Sequence, residues 1–329
     1  MTCVIRDVPA ALEQATIPDV VQSLGDSNVK PEISVCACAY RRPDDLRRLL
    51  ESLVNQVSQT PAYEVIVVDN DAAGTSAAAA GEFADARIPV RYFVEPEQNI
   101  SRARNRSLAE AKGDLIAIID DDEIAKPDWL LELHRALLDH EADAAFGPVH
   151  SWFVAPPPQW IIDGGFFDYS PIPTGQVMPL ESTRTSNVLL RRSALPGPDD
   201  VFDVNLGLTG GEDIDLFRRM QEGNAHLIAV ESAVVHETVP EKRACLKWLS
   251  ARWFRYGTMR VDVHENKRDS LRFMVATSGR ATAGFFVNLA GAARKAPFRK
   301  ARSAEYFLRA CYWAGVIANI VGYTYEEYK

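Results

Sequence analysis

Between residues 31 and 140, short apolar runs alternate with stretches whose apolar positions recur every three or four residues. Ile33–Tyr40 reads as a strand, and Pro43–Gln56 follows with Leu46, Leu49, Leu50, Leu53 and Val54 on one stripe, the period of an amphipathic helix. Tyr63–Asp69 is too continuously apolar for a strand with one wet face and predicts one covered on both. Val90–Val94 predicts a further strand, Ser101–Lys112 a helix capped by Ser101 and stopped by Gly113, and Leu115–Asp120 another strand covered on both faces. Pro127–His140 supplies a helix with Pro127 near its first turn. Such alternation implies an α/β fold, a parallel sheet with helices on both faces. Ligands of these sheets bind at the carboxyl ends of strands, where this chain carries Asp69-Asn70-Asp71 and Asp120-Asp121-Asp122-Glu123.

Residues 1–30 show no sustained period and read as an N-terminal extension, 31–240 as the ligand-binding domain and 241–329 as a C-terminal helical region. From Ser151 the chain turns Pro-rich and Gly-rich, with strand-like order at Arg184–Arg191 and His226–Glu231. With 329 residues and 47% hydrophobic content, disorder and collagen-like repeats are excluded. No run approaches the ~18–20 apolar residues that span a bilayer, and the first residues do not resemble a signal peptide, so a cytoplasmic location is expected. Five cysteines without CxxC or zinc spacing predict reduced, structural thiols; Cys36 and Cys38 share one strand face too closely for an unstrained disulfide.

Charge is unevenly spread. Residues 1–240 carry 19 Lys and Arg against 38 Asp and Glu, whereas residues 241–309 carry 16 against 5, within a net charge of -9. A basic block this local implies an anionic partner for the C-terminal end. Four consecutive acids after a buried strand repel one another, and a divalent cation bound by oxygen ligands, Mg²⁺ or Mn²⁺, is the simplest relief; a solvated acidic turn is the plain alternative. The second acidic site, Gly210-Gly211-Glu212-Asp213, opens a helix, where a carboxylate can act as a general base or simply cap the helix. There is no GxGxxG after the first strand, no Walker motif, and no second His at HExxH spacing after His236, which excludes dehydrogenase, P-loop and zinc-protease readings.

Five segments together, ISVCACAYRRP (33–43), YEVIVVDNDA (63–72), NISRARNRSLAEAKGDLIAIIDDDE (99–123), TGGEDIDLFRRM (209–220) and the later His236, resemble in order and spacing a family 2 glycosyltransferase of the GT-A fold. The similarity covers residues 31–260 and leans toward bacterial transferases that build exopolysaccharide. It implies a nucleotide-diphosphate sugar donor, a UDP-sugar first among candidates, with Mg²⁺ or Mn²⁺ and inversion at the anomeric carbon. By resemblance Ala39, Tyr40, Arg41, Asp69 and Asn70 hold the nucleoside, and Arg104 and Asn105 lie near the donor. Asp120 and Asp122 match the DxD signature as metal ligands, with Asp120 and Asp121 also on the donor. Asp213 matches the catalytic base, and His236 sits where members present a histidine to metal or diphosphate. The chain departs from the family in reading Asp69-Asn70-Asp71-Ala72 for Asp-Asp-Gly-Ser, and lacks the QxxRW motif of processive synthases, which favours addition of one sugar.

The C-terminal region interleaves Trp248, Trp253, Phe254, Phe273, Phe285, Phe286, Phe298 and Trp313 with Lys and Arg, a composition suited to helices in a lipid interface. The apolar runs Ala281–Ala293 and Cys311–Tyr323 are too short to span a membrane. Peripheral attachment to the cytoplasmic face and a lipid-linked glycan acceptor are therefore expected. The acidic main domain and the lack of a binding motif argue against nucleic acid. The rival is a non-catalytic membrane-surface adaptor that keeps the fold.

Overall fold

A computed structural model of the chain describes residues 30–168, 171–197, 201–262, 271–323 and 325; the extension expected over residues 1–30 lies outside them except for Lys30. Its framework is a seven-stranded sheet. β1 (Ile33–Ala39) lies between β2 (Tyr63–Asp69) and β4 (Leu115–Asp120), and β3 (Val90–Val94) borders β2. All four run parallel, so their carboxyl ends share one edge. β2 is buried at every position, as its unbroken apolar run requires. Beyond β4 the sheet continues through β8 (Asn187–Arg191), β6 (Ala144–Phe146) and β9 (Leu227–Ala229), with β8 antiparallel to both β4 and β6.

Helices cover both faces. On one side α1 (Pro43–Val54) sets Leu46, Leu49, Leu50 and Leu53 into the same core as Trp129, Leu130, Leu133 and Leu137 of α4 (Trp129–Asp139). On the other, Ala103 and Leu108 of α3 (Ile100–Glu110) share a core with Leu216, Phe217 and Met220 of α6 (Glu212–Glu222). A short α2 (Ala77–Gly81) lies between β2 and β3. Contrary to the sequence reading, Ser101 does not cap α3. Asn99 does, its side chain accepting from the Arg102 amide at 3.0 Å, while Ser101 is buried within the first turn.

A second, three-stranded sheet joins β5 (Glu123–Ala125), β10 (Val235–Val239) and β7 (Val149–Phe153) at the carboxyl edge. It fixes the acidic turn: Glu123 pairs with Glu237, and the Asp122 carbonyl accepts from the Thr238 amide at 2.9 Å. α5 (Gln159–Gly164) follows β7. The chain then runs into α7 (Leu246–Asp262), α8 (Leu271–Lys295) and α9 (Lys300–Ile320). α9 packs against α7, α8 and α5. Glycines permit the closest approach, since a Cβ on Gly257 would collide with the Tyr312 carbonyl and one on Gly315 with that of Phe254. Cys36, Cys38, Cys245 and Cys311 are free thiols, and burial pushes Cys36 up to about 12, so it acts as a small apolar residue.

Candidate active site

The three central strands deliver their carboxyl ends to one cleft, and backbone contacts tie them together. The Asn70 amide donates to the Ala39 carbonyl at 2.8 Å, and the Tyr40 amide to Asp121 Oδ2 at 3.2 Å. Arg41 has φ of +55°, a left-handed conformation uncommon for a side-chain-bearing residue; its guanidinium meets Asp71 at 3.2 Å and lies 4.9 Å from the Tyr40 ring centroid. That ion pair holds the Asp71 carboxyl below its usual range.

Asp69 and Asn70 are turned inward. Asp69 accepts from the Asp71 amide, the Ser76 amide at 2.7 Å and the Tyr92 hydroxyl at 2.8 Å. Asn70 donates to the Glu95 and Glu97 carbonyls and accepts from the Asn99 amide at 2.8 Å. Both shape the rim of the cleft. Asn105 is likewise engaged: it exchanges two hydrogen bonds with the Phe202 backbone, at 2.8 and 2.9 Å, and so locks α3 to the segment that leads to α6.

Arg104 is the hinge of the site. Buried on α3, it forms an ion pair with Glu212 and lies 3.7 Å from Asp120 Oδ1, with its guanidinium over the Phe202 ring. Gly210 and Gly211, with φ of +84° and +96°, turn the chain so that the acidic first turn of α6 faces this arginine. Asp213 is the second residue of that helix, its Oδ1 accepting from the Ile214 amide at 2.8 Å. Burial at the foot of the cleft raises the pKa of Asp120, although its side chain is 44% exposed; Arg104 opposes this, and the charges of Asp122 and Asp213 add to it. Burial also raises the pKa of Glu212, against Arg104, and its Oε2 is buried without a hydrogen-bond partner.

The acidic turn carries its own counter-charge. Arg42 Nη1 lies 3.1 Å from Asp121 Oδ1 and 2.8 Å from Asp122 Oδ2, and Arg243 Nη1 lies 3.1 Å from the same Asp122 oxygen and 3.0 Å from Glu237 Oε1. Burial nonetheless raises Asp121 to about 7 and pushes Glu123 and Glu237 upward. Glu123 is committed to the Asp120 amide at 3.0 Å. Arg42, Glu212, Glu237 and Arg243 were not singled out from the sequence. Glu212 stood beside a residue that was, and nothing local marks Arg243.

The residues suit a divalent cation that arrives with a phosphate ligand. The donor set is carboxylate oxygen, Asp122 Oδ1 has no hydrogen-bond partner among the described residues, and the tip of Asp120 is open. Among the described residues no three His, Cys, Asp or Glu side chains converge into a cage, as suits an ion held by one or two carboxylates and completed by phosphates and water. His236 is not brought to this cluster. On β10 adjacent side chains alternate, and Glu237 takes the position beside Asp122. The His236 ring lies 5.9 Å from that of His150, and burial, His150 and Lys126 lower its pKa.

The sequence profile of glycosyl transferase family 2 matches residues 34–194. Succinoglycan biosynthesis protein ExoM of Rhizobium meliloti is 35% identical over 294 residues, covering 88% of this chain and 93% of that protein. The glucosyl-dolichyl phosphate glucuronosyltransferase of Haloferax volcanii is 25% identical over 70% of this chain and 75% of its own. Among solved structures, mannosyltransferase PcManGT from Pyrobaculum calidifontis, in complex with GDP-Man and Mn²⁺, superposes with a TM-score of 0.58 at 17% identity, covering 90% of this chain and 89% of that one. S. aureus TarS 1-349 in complex with UDP gives 0.52 at 14%, covering 90% and 93%. On this profile match and this identity the chain belongs to glycosyl transferase family 2, as a glycosyltransferase of the GT-A fold.

Proposed function

We propose that this enzyme transfers one sugar, with inversion, from a UDP-sugar to a lipid-linked glycan during exopolysaccharide assembly. The observation that carries the reading is the bridge made by Arg104, which joins the end of β4 to the first turn of α6 and so sets Asp120 beside Asp213. Asp213 takes the proton of an acceptor hydroxyl while that oxygen forms the new bond to the anomeric carbon. The bond from that carbon to the diphosphate oxygen breaks with its electron pair leaving on the nucleotide, and one displacement inverts the centre. Asp122, with Asp120, would hold Mg²⁺ or Mn²⁺, which when bound supplies positive charge to the departing diphosphate. Tyr40, Arg41 and Asp71 border the face of the cleft assigned to the nucleoside. Beyond β8, a cavity of about 690 Å³ lined by Phe146, His150, Ile172, Met178, Arg184 and Glu231 offers apolar and polar contacts suited to an acceptor sugar.

The polysaccharide assignment draws support from ExoM and the lipid-linked acceptor from the dolichyl-phosphate enzyme of Haloferax, both similar to this chain. Attachment to the membrane surface is supported by α8. Among the described residues no helix is long and apolar enough to cross a membrane. Yet α8 exposes Phe286, Val287 and Leu289, and residues 271–304 hold seven Lys and Arg with no Asp or Glu. A screen of UDP-, GDP- and TDP-sugars for hydrolysis and transfer in the presence of Mn²⁺ tests the donor assignment. Turnover restricted to UDP-sugars supports it, and turnover restricted to GDP- or TDP-sugars overturns it.

A further inference from the structure

We propose that Arg243 is a ligand of the donor's diphosphate, held by Asp122 until a divalent ion takes that carboxylate, so that metal and nucleotide bind as a coupled pair. The inference rests on the nucleotide-sugar reading of the cleft. Arg243 lies in the turn between β10 and α7, and both of its polar contacts fall on a single nitrogen, Nη1, at 3.1 Å from Asp122 Oδ2 and 3.0 Å from Glu237 Oε1. Its Nε and Nη2 make no hydrogen bond among the described residues. Its guanidinium rests 5.7 Å from the Trp248 ring centroid, and Trp248 is stacked on Phe167. The side chain is thus steadied from below while one edge of its fork stays vacant, the edge that matches two oxygens of a phosphate.

Arg42 reaches the same Asp122 oxygen at 2.8 Å, so two guanidinium groups share one acceptor. The arrangement is tolerable because carboxylates surround it. A divalent ion on Asp122 would place a third centre of positive charge among the two arginines, and repulsion at such distances is relieved only by an incoming anion. A nucleoside diphosphate supplies that charge and the acceptor oxygens together. Of the two arginines, Arg42 keeps a partner within the acidic turn itself, since it also grips Asp121, whose other oxygen is fixed by the Tyr40 amide. Arg243 retains only Glu237 once Asp122 is taken. Coupling of this kind is reciprocal, so the metal must tighten UDP by the same factor that UDP tightens the metal.

The test measures Mn²⁺ binding to the full chain by the paramagnetic signal of the free ion, with and without UDP, and UDP binding calorimetrically in Mn²⁺. In the unaltered protein UDP should tighten Mn²⁺ binding. Arg243→Ala should bind Mn²⁺ alone about 3–10-fold more tightly, because a competitor for Asp122 is gone, and bind UDP with Mn²⁺ about 10-fold more weakly. Arg243→Lys, which keeps charge but loses the fork, should restore the weak binding of Mn²⁺ alone and only part of the UDP affinity. Circular dichroism checks folding, and if the alanine variant is unfolded the lysine variant decides on the same two affinities. Unchanged Mn²⁺ and UDP affinities in both variants overturn the role of Arg243. Failure of the unaltered protein to bind UDP in Mn²⁺ is a different result, which overturns the nucleotide reading beneath it.

Discussion

Arg104 and Glu212 form an ion pair with both side chains buried, and through it α3 is fastened to the first turn of α6 one residue before Asp213. Removing one partner strands a charge in a low-dielectric site, which is far costlier than the pair is worth. Arg104→Ala should therefore destabilise the protein by about 3–5 kcal/mol in urea unfolding. Replacing Arg104 and Glu212 together by methionine should recover most of that loss in stability. A double variant no more stable than the single one contradicts the pairing.

Among the described residues Asp213 has no arginine partner, unlike its neighbour Glu212, and its proposed task concerns only the transition state. Asp213→Asn should lower kcat by about 10²–10⁴ with UDP affinity nearly unchanged, because proton removal contributes nothing to ground-state binding. A parallel loss of UDP binding would make it a binding or structural residue.

Asp121 gives the fold a dependence on pH. Its carboxyl is raised by burial from 3.8 to about 7, so between these values the folded protein holds a proton that the unfolded chain has released. This contribution to stability is complete below pH 3.8 and is lost as pH rises toward 7, with a slope of at most about 1.4 kcal/mol per pH unit. Asp121→Asn should flatten that part of the profile in urea titrations between pH 5 and 7. A profile of unchanged slope contradicts the raised pKa.

The proposed membrane attachment would combine exposed Phe286 and Leu289 of α8 with Arg294 and Lys295 at its end and Arg299 and Lys300 at the start of α9, and each cation near an anionic surface contributes about 1 kcal/mol. Reversing those four charges should release the protein from phosphatidylglycerol vesicles in sedimentation. Phe286→Ser should weaken attachment without changing its salt dependence. Undiminished sedimentation of the charge-reversed protein assigns the basic block to another role.

Legibility from sequence followed burial. β2 and β3 match their predicted ranges because buried parallel strands are written as unbroken apolar runs. β5 and β6 have only three residues each, and β5 contains a buried Glu123, so no periodicity announces them, whereas β9 falls within the strand-like run at His226–Glu231. The cap of α3 was misassigned because Ser101 and Asn99 are both capping residues two positions apart, and only the extended backbone at Asn99 distinguishes them. In the cleft, the acids at the strand ends were legible because they interrupt apolar runs. Their counter-charges were not: Arg243 meets Asp122 from 121 residues away. The facing of His236 depended on strand parity in β10, a strand that the sequence pattern did not reveal.

Central to the proposed mechanism is a single displacement at the anomeric carbon, in which Asp122 would hold a divalent ion and Asp213 would act as base. Proton NMR of the transfer product, formed from the donor identified in the screen, reads the anomeric configuration directly. An α-linked donor should give a β-linked product, formation should stop in excess EDTA, and Mn²⁺ should restore it. A product that retains the donor's configuration, or transfer undiminished in EDTA, would contradict that mechanism.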